Sequence, residues 1–221
     1  MKTPKFELLI FDCDGVLVDS EPISALAHKI VYAAHGLDLS DDLMSRCVGM
    51  KQKDIFTFVA NESGIMLTDA AIPEIWREVE RLMNEKLEAT PGIIDFLQAD
   101  KTKRCVASSS SMERIQRSLE ITRVDQHFEP RHVFNSAMVK HGKPSPDLFL
   151  HAAKQCSAEP KTCAVFEDSI YGVQGAIAAG MAAFGYTGGS HCGPNHKDRL
   201  TAAGATQVFS SWAEARDYLK F

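Results

Sequence analysis

The sequence predicts an α/β fold, a doubly wound parallel sheet interrupted after its first strand by a helical insertion. Three observations carry this. The run Leu8-Leu9-Ile10-Phe11 is apolar throughout, which suits a strand covered on both faces. From Thr90 onward, helical patterns and short apolar runs alternate, as they do when helices connect parallel strands. From about Glu21 to Ala89 no segment reads as a convincing strand, and 54–61 and 74–88 place apolar residues at helical spacing among charges. The expected domains are an α/β core of residues 1–18 and 90–221 and a helical insert of 19–89.

The core elements follow in order. Thr90-Pro91-Gly92 punctuates the end of the insert. Helix 92–98, strand 104–107, helix 111–119, a short strand near 132–134, helix 146–156 and strand 162–166 come next. Helix 171–179, strand 182–186, a short helix near 196–203, strand 206–209 and helix 211–219 complete the chain. Trp76, on the charged helix of the insert, is expected to pack that insert's own core.

The composition narrows the function classes. Of 221 residues, 45% are hydrophobic and 24% charged, which is ordinary for a globular protein. The formal net charge is −5 with scattered basic residues, so a nucleic-acid partner is not expected. The densest basic cluster, Lys101-Thr102-Lys103-Arg104, reads as a solvated loop. The six cysteines form no Cys-x-x-Cys pair and fit reduced, mostly buried thiols. Neither a signal peptide nor an apolar run long enough to span a bilayer is evident, and a cytoplasmic, soluble monomer is the default expectation.

Asp12 and Asp14 directly follow the first strand, and ligands in parallel sheets bind beyond the carboxyl ends of the strands. Residues i and i+2 project to one side, so the two carboxylates can converge on one cation or one substrate atom. Taken alone, the pair could equally be a solvated turn or a helix cap. Glu167-Asp168 repeats the pattern after the apolar run Cys163-Ala164-Val165-Phe166, although Asp168 could cap the helix that follows. Carboxylates at that density along one rim suit Mg²⁺. The run Ser108 to Ser111 follows another strand, where hydroxyls and free N–H groups before a helix can bind an anion; capping would explain one or two of the four.

In His141-Gly142-Lys143-Pro144-Ser145-Pro146-Asp147 the prolines stiffen the loop and are expected to hold Lys143 extended. From there a lysine can reach the rim and balance an anion, or simply be solvated. Two other signatures fail. Ala137 stands where a P-loop needs glycine, with Pro144 in place of Ser or Thr; Cys192 breaks the nucleophile elbow suggested by Gly188-Gly189-Ser190-His191. The glycine-rich stretch 185–193 is expected to be a loop near the rim, with His191 and His196 as surface residues.

Four motifs, FDCDGVLVDS (11–20), VASSS (106–110), GKPSPD (142–147) and VFEDSIYG (165–172), together resemble the haloacid dehalogenase superfamily. The resemblance is to its phosphatase branch, whose helical cap follows the first strand, and it covers essentially the whole chain. It implies Asp12 as nucleophile, forming an aspartyl phosphate, and Asp14 as general acid and base. It implies Mg²⁺ on the Asp12 carboxylate, the Asp14 carbonyl and Asp168, with Glu167 a ligand or a partner of one. Ser108 and the Ser109 backbone would bind phosphoryl oxygens, and Lys143 would pair with phosphate and Asp12. Residues 19–89 would be a cap, hinged near 17–20 and 88–92.

The implied substrate is a small phosphorylated metabolite such as a sugar phosphate or sugar-acid phosphate. Asp14 separates such phosphatases from the dehalogenases, which lack an acid there. A β-phosphoglucomutase-like mutase shares all four motifs. However, Gln52 and Ser24 stand about where mutases carry Arg and His, leaving Lys51 and Lys53 as candidates for a distal anion. A non-catalytic phosphometabolite-binding relative would be expected to have lost one of Asp12, Asp14, Lys143 or Asp168, and none is lost.

Overall fold

In a computed structural model that describes residues 6–47 and 52–220, contacts divide the chain into two compact units. One is Ser20–Leu87; the other joins the segments that end at Asp19 and begin at Glu88. In chain order the elements are β1 (Leu8–Phe11), α1 (Glu21–Ala34), α2 (Asp41–Cys47), α3 (Gln52–Ser63), α4 (Ile72–Lys86), α5 (Ile93–Ala99), β2 (Lys103–Ser108) and α6 (Met112–Thr122). β3 (Val133–Asn135), α7 (Asp147–Gln155), β4 (Cys163–Glu167), α8 (Ile170–Ala178), β5 (Ala182–Tyr186), α9 (His196–Ala202), β6 (Gln207–Phe209) and α10 (Trp212–Leu219) follow. Among the described residues no helix is long and apolar enough to cross a membrane.

The sheet runs β3-β2-β1-β4-β5-β6 with every pairing parallel, so β1 is central, flanked by β2 and β4. That order makes the carboxyl end of β1 the point where the winding reverses, which is where such sheets bind ligands. All four residues of β1 and all five of β4 are buried, the pattern of strands covered on both faces. Alternation sends Leu8, Ile10, Cys163 and Val165 into one layer, with Phe149 and Ala152 of α7 and Val173 and Ala176 of α8.

On the opposite face an aromatic cluster forms. Phe11 stacks on Phe166 with ring centroids 5.1 Å apart, and Trp212 lies 4.8 Å from Phe96 and 4.5 Å from Tyr186. The Trp212 indole donates to Thr90 Oγ1 at 2.9 Å, and that hydroxyl donates onward to the Val16 carbonyl at 2.6 Å. Beside this, Thr90 N–H bonds the Leu17 carbonyl and Asp19 N–H the Glu88 carbonyl, each at 3.0 Å. The two chain passages at the edge of the core unit are therefore paired with each other.

Ser20–Leu87 is helical. Pro22 and Pro73 occupy the first turns of α1 and α4, where a missing N–H is harmless. α1 packs along α4. α4 buries Ile75, Val79, Leu82 and Met83, a stripe at helical spacing. Trp76 lies beside that stripe and is 48% exposed, so the expectation that it fills the insert's core is incorrect.

The basic cluster is only partly the solvated loop expected: Lys101 and Lys103 are exposed, but Lys103 and the half-buried Arg104 open β2. Arg104 donates to the carbonyls of Leu97, at 2.6 Å, and Asp100, while Lys101 reaches the Gln98 carbonyl at 3.0 Å. These cations close the carbonyl end of α5. The five buried cysteines and the partly buried Cys192 form no disulfide with one another.

Candidate active site

β1 delivers Asp12 to the rim. Its N–H extends the ladder by donating to the Phe166 carbonyl at 3.0 Å, and its carboxylate is buried. The Lys143 ammonium, its side chain 5% exposed, lies 2.5 Å from Asp12 Oδ1 and donates to the Ala107 carbonyl at 2.9 Å. It also contacts Glu167 Oε1, so one cation ties together the carboxyl ends of β1, β2 and β4. Lys143 sits in a turn closed by Ser145 N–H on the Gly142 carbonyl at 2.9 Å, and the Lys143–Pro144 peptide is cis.

Glu167 is 1% exposed, and its second carboxylate oxygen accepts from the Ser169 N–H at 3.2 Å and hydroxyl at 2.9 Å. α8 begins directly against this carboxylate. A Cβ on Gly172 would fall 1.8 Å from the Glu167 carboxyl carbon, so only glycine fits there. Ser169, not Asp168, caps α8, its Oγ accepting from Gly172 N–H at 2.9 Å. Asp168 is therefore available to the rim. Its Oδ2 lies 2.9 Å from His191 Nε2, and its carbonyl accepts from His196 Nε2 at 2.6 Å.

The expectation that His191 and His196 are surface residues is thus corrected. The His191 side chain is 3% exposed and His196 is partly buried, because the loop after β5 folds back over the rim. Gly15 allows this approach. Its φ of +75° suits glycine, and a Cβ there would lie 2.1 Å from Asp168 Oδ2 and 2.8 Å from His191 Cε1. Burial pushes the His196 imidazole below its ordinary value.

Asp14 accepts a 2.6 Å bond from Ser110 Oγ and pairs with Arg114 Nη2 at 3.1 Å. In the serine run, Ser111 is the α6 cap, accepting from Arg114 N–H at 3.2 Å. Ser108 is buried, with its Oγ accepting from Ser110 N–H at 3.1 Å, and Ser109 is exposed. Capping explains one serine; Ser110 serves Asp14. Lys51 lies outside the described residues, and Lys53 belongs to α3 with its side chain outside them.

Carboxylate oxygens of Asp12, Glu167 and Asp168 all lie within 4.8 Å of one another. Burial first, and then mutual repulsion, pushes the Asp12 and Asp168 carboxyls well above the ordinary range, against the pull of Lys143. Burial works to lower the Lys143 ammonium, but Asp12 and Glu167 outweigh it and hold it above its usual value. Three crowded acids against one buried ammonium leave an excess of negative charge on hard oxygen donors. That donor set fits a divalent cation of the Mg²⁺ type.

Arg114, Ser110's bond to Asp14, and His191 and His196 were not found from sequence. Arg114 could have been: once Ser111 is the cap, Arg114 is the third residue of the helix, where a side chain can reach back over the rim. For the histidines the only signal is that their loop follows the carboxyl end of β5, on the same rim.

A buried acidic rim bridged by one lysine, at the reversal point of a parallel sheet, defines the class of chemistry. Residues 9–186 match the haloacid dehalogenase-like hydrolases, and the chain belongs to that family. The 6-phosphogluconate phosphatase of Escherichia coli (strain K12) is 32% identical to it over 199 residues, 89% of this chain and 90% of that one. The fructose-1-phosphate phosphatase of the same organism is 31% identical over 180 residues, 79% of this chain and 93% of that one. A conserved haloacid dehalogenase-like protein of unknown function from Agrobacterium tumefaciens str. C58 superposes with a TM-score of 0.87 at 36% identity, covering 96% of each chain.

Proposed function

We propose that this phosphoric monoester hydrolase is a Mg²⁺-dependent phosphatase of a small phosphorylated sugar or sugar acid, working through a phosphorylated Asp12. The observation that carries the reading is the Lys143 ammonium shared between Asp12 and Glu167, with Asp14 held separately by Ser110 and Arg114. On this reading the two aspartates have different roles. Asp12 forms a bond to phosphorus as the P–O bond to the leaving group breaks. Asp14 gives that leaving oxygen a proton, then takes a proton from the water that attacks the phosphorylated Asp12, releasing inorganic phosphate and restoring the carboxylate.

Lys143 fixes the Asp12 carboxylate and offers positive charge to phosphoryl oxygens, to which the Ser108 hydroxyl and the Ser109 N–H donate hydrogen bonds. Arg114 and Ser110 fit the ionised form of Asp14, the form needed for the water step. Asp12, Glu167 and Asp168, with the Asp14 carbonyl, would hold Mg²⁺. When bound, the ion lets an anionic nucleophile approach an anionic phosphate and stabilises charge in the transition state. The helical unit 20–87 is the proposed source of substrate selectivity.

The choice of phosphatase over mutase rests on the named relatives and on Ser24, which occupies α1 where a mutase histidine would stand. Phosphate release from sugar, sugar-acid and nucleoside monophosphates, with Mg²⁺ and with chelator, tests the reading. β-Glucose 1-phosphate belongs in the panel. Metal-dependent release concentrated on sugar or sugar-acid phosphates is expected; isomerisation without release would overturn it.

A further inference from the structure

Beside the carboxylate rim the chain gathers a second, chemically different set of donors. His191, Cys192 and His196 place one potential ligand atom each within 4.8 Å of one another. Cys192 Sγ is 3.4 Å from His191 Nε2, and the two imidazole rings cross at 86° with centroids 5.7 Å apart. In the proposed phosphatase chemistry none of these three groups forms or breaks a bond; His191 acts there only as a support of Asp168. Thiol and imidazole are soft or borderline donors, in contrast to the all-oxygen rim, and open zinc sites likewise use three protein ligands drawn from such groups.

The surroundings are built for it. The His191 imidazole is walled by Gly15 and Gly189, where a Cβ on either would lie 2.8 Å from its Cε1. His196 donates from Nε2 to the Asp168 carbonyl, and one ring nitrogen tied to a carbonyl is the outer support that metal-ligating histidines commonly have. We propose that His191, Cys192 and His196 form a binding site for a soft or borderline divalent cation, Zn²⁺ in type, adjoining the catalytic rim. On ligation the Cys192 thiol loses its proton to solvent, the His191 proton that faces Asp168 moves from Nε2 to Nδ1, and nothing is oxidised or reduced.

The site is coupled to the rim through one nitrogen. His191 Nε2 is the atom that faces both Asp168 Oδ2, at 2.9 Å, and Cys192 Sγ. A cation that takes this nitrogen removes it from Asp168. Losing such an outer support commonly changes metal affinity or activity by about 10–100-fold. The triad is thereby a point at which Zn²⁺ lowers turnover without entering the carboxylate rim.

Co²⁺, whose bond to a thiolate absorbs in the near ultraviolet, is the probe. The full-length protein, reduced and freed of metal by chelator, is titrated with Co²⁺ in excess Mg²⁺, which fills the oxygen rim. One equivalent should produce a thiolate-to-cobalt band that Zn²⁺ abolishes and more Mg²⁺ does not. The band should be lost in Cys192→Ser, and in His196→Ala it should need about tenfold or more Co²⁺. No band, or a band that survives in Cys192→Ser, overturns the site. Coupling is read from phosphate release and alone rests on the phosphatase reading: Zn²⁺ should lower it about tenfold in the parent chain and hardly at all in Cys192→Ser. Equal inhibition of both would place Zn²⁺ on the carboxylates and overturn the coupling, whatever the absorbance shows.

Discussion

Lys143 is the residue on which the rim's electrostatics turn. It is almost wholly buried and touches Asp12, Glu167 and the Ala107 carbonyl at once. Replacing it with Met leaves two buried carboxylates without their cation, a change that typically costs about 3–5 kcal/mol. Urea denaturation of Lys143→Met in chelator should show a loss of that size, partly recovered on adding Mg²⁺, together with loss of phosphate release. The two aspartates should fail differently from this. Asp12→Asn removes the proposed nucleophile and should bring release to background. Asp14→Asn removes the proposed acid and base and should slow release by about 10²–10⁴-fold. Both variants should keep the parent's circular dichroism, and full activity in either would sink the assigned roles.

At the scale of elements, what matters is how β1, β4, α8 and the passages at Leu17 and Thr90 are pinned. Thr90 accepts from the Trp212 indole and donates to the Val16 carbonyl, all buried. Thr90→Val keeps the shape and strands both partners, which should cost about 1–3 kcal/mol by thermal or urea unfolding. Ser169→Ala removes the cap of α8 and a donor to Glu167. Its expected loss is about 1 kcal/mol, with a larger proportional fall in activity because Glu167 loses a support. These elements were well forecast by periodicity: each core strand and helix appears within a few residues of its expected place. The caps were less legible, because Asp168 and Ser169 are both good cap residues, and only the path of the chain decides that Ser169 serves.

For the whole molecule, charge at the rim links folding to metal and to pH. A cation bound only by the folded chain stabilises it by mass action, about 2.7 kcal/mol at a hundred times Kd. Millimolar Mg²⁺ should therefore raise the melting temperature of the parent protein and leave Asp168→Asn nearly unmoved. In chelator, Asp12 and Asp168 hold protons to higher pH in the folded than in the unfolded chain. The folded state then binds more protons over that window, so metal-free stability should fall as pH rises above the ordinary carboxylate range. Mg²⁺ should flatten that slope. A metal-free melting temperature that instead climbs with pH would contradict the raised carboxyls.

The sequence by itself determined the parallel α/β core, and it offered a helical insert after the first strand and Asp12, Asp14, Lys143, Glu167 and Asp168 as candidates. Each of these is written locally, as an apolar run ending in acids, a period of 3.6, or a lysine between a glycine and a proline. Tertiary structure alone decided that Lys143 bridges three strand ends, that Arg114 pairs with Asp14, and that His191 is buried on Asp168. Such contacts join segments far apart in the chain. Loops after β2 and β5 carry no period that fixes their path, and glycines at 15 and 172 matter only through what the fold brings within reach of a missing Cβ.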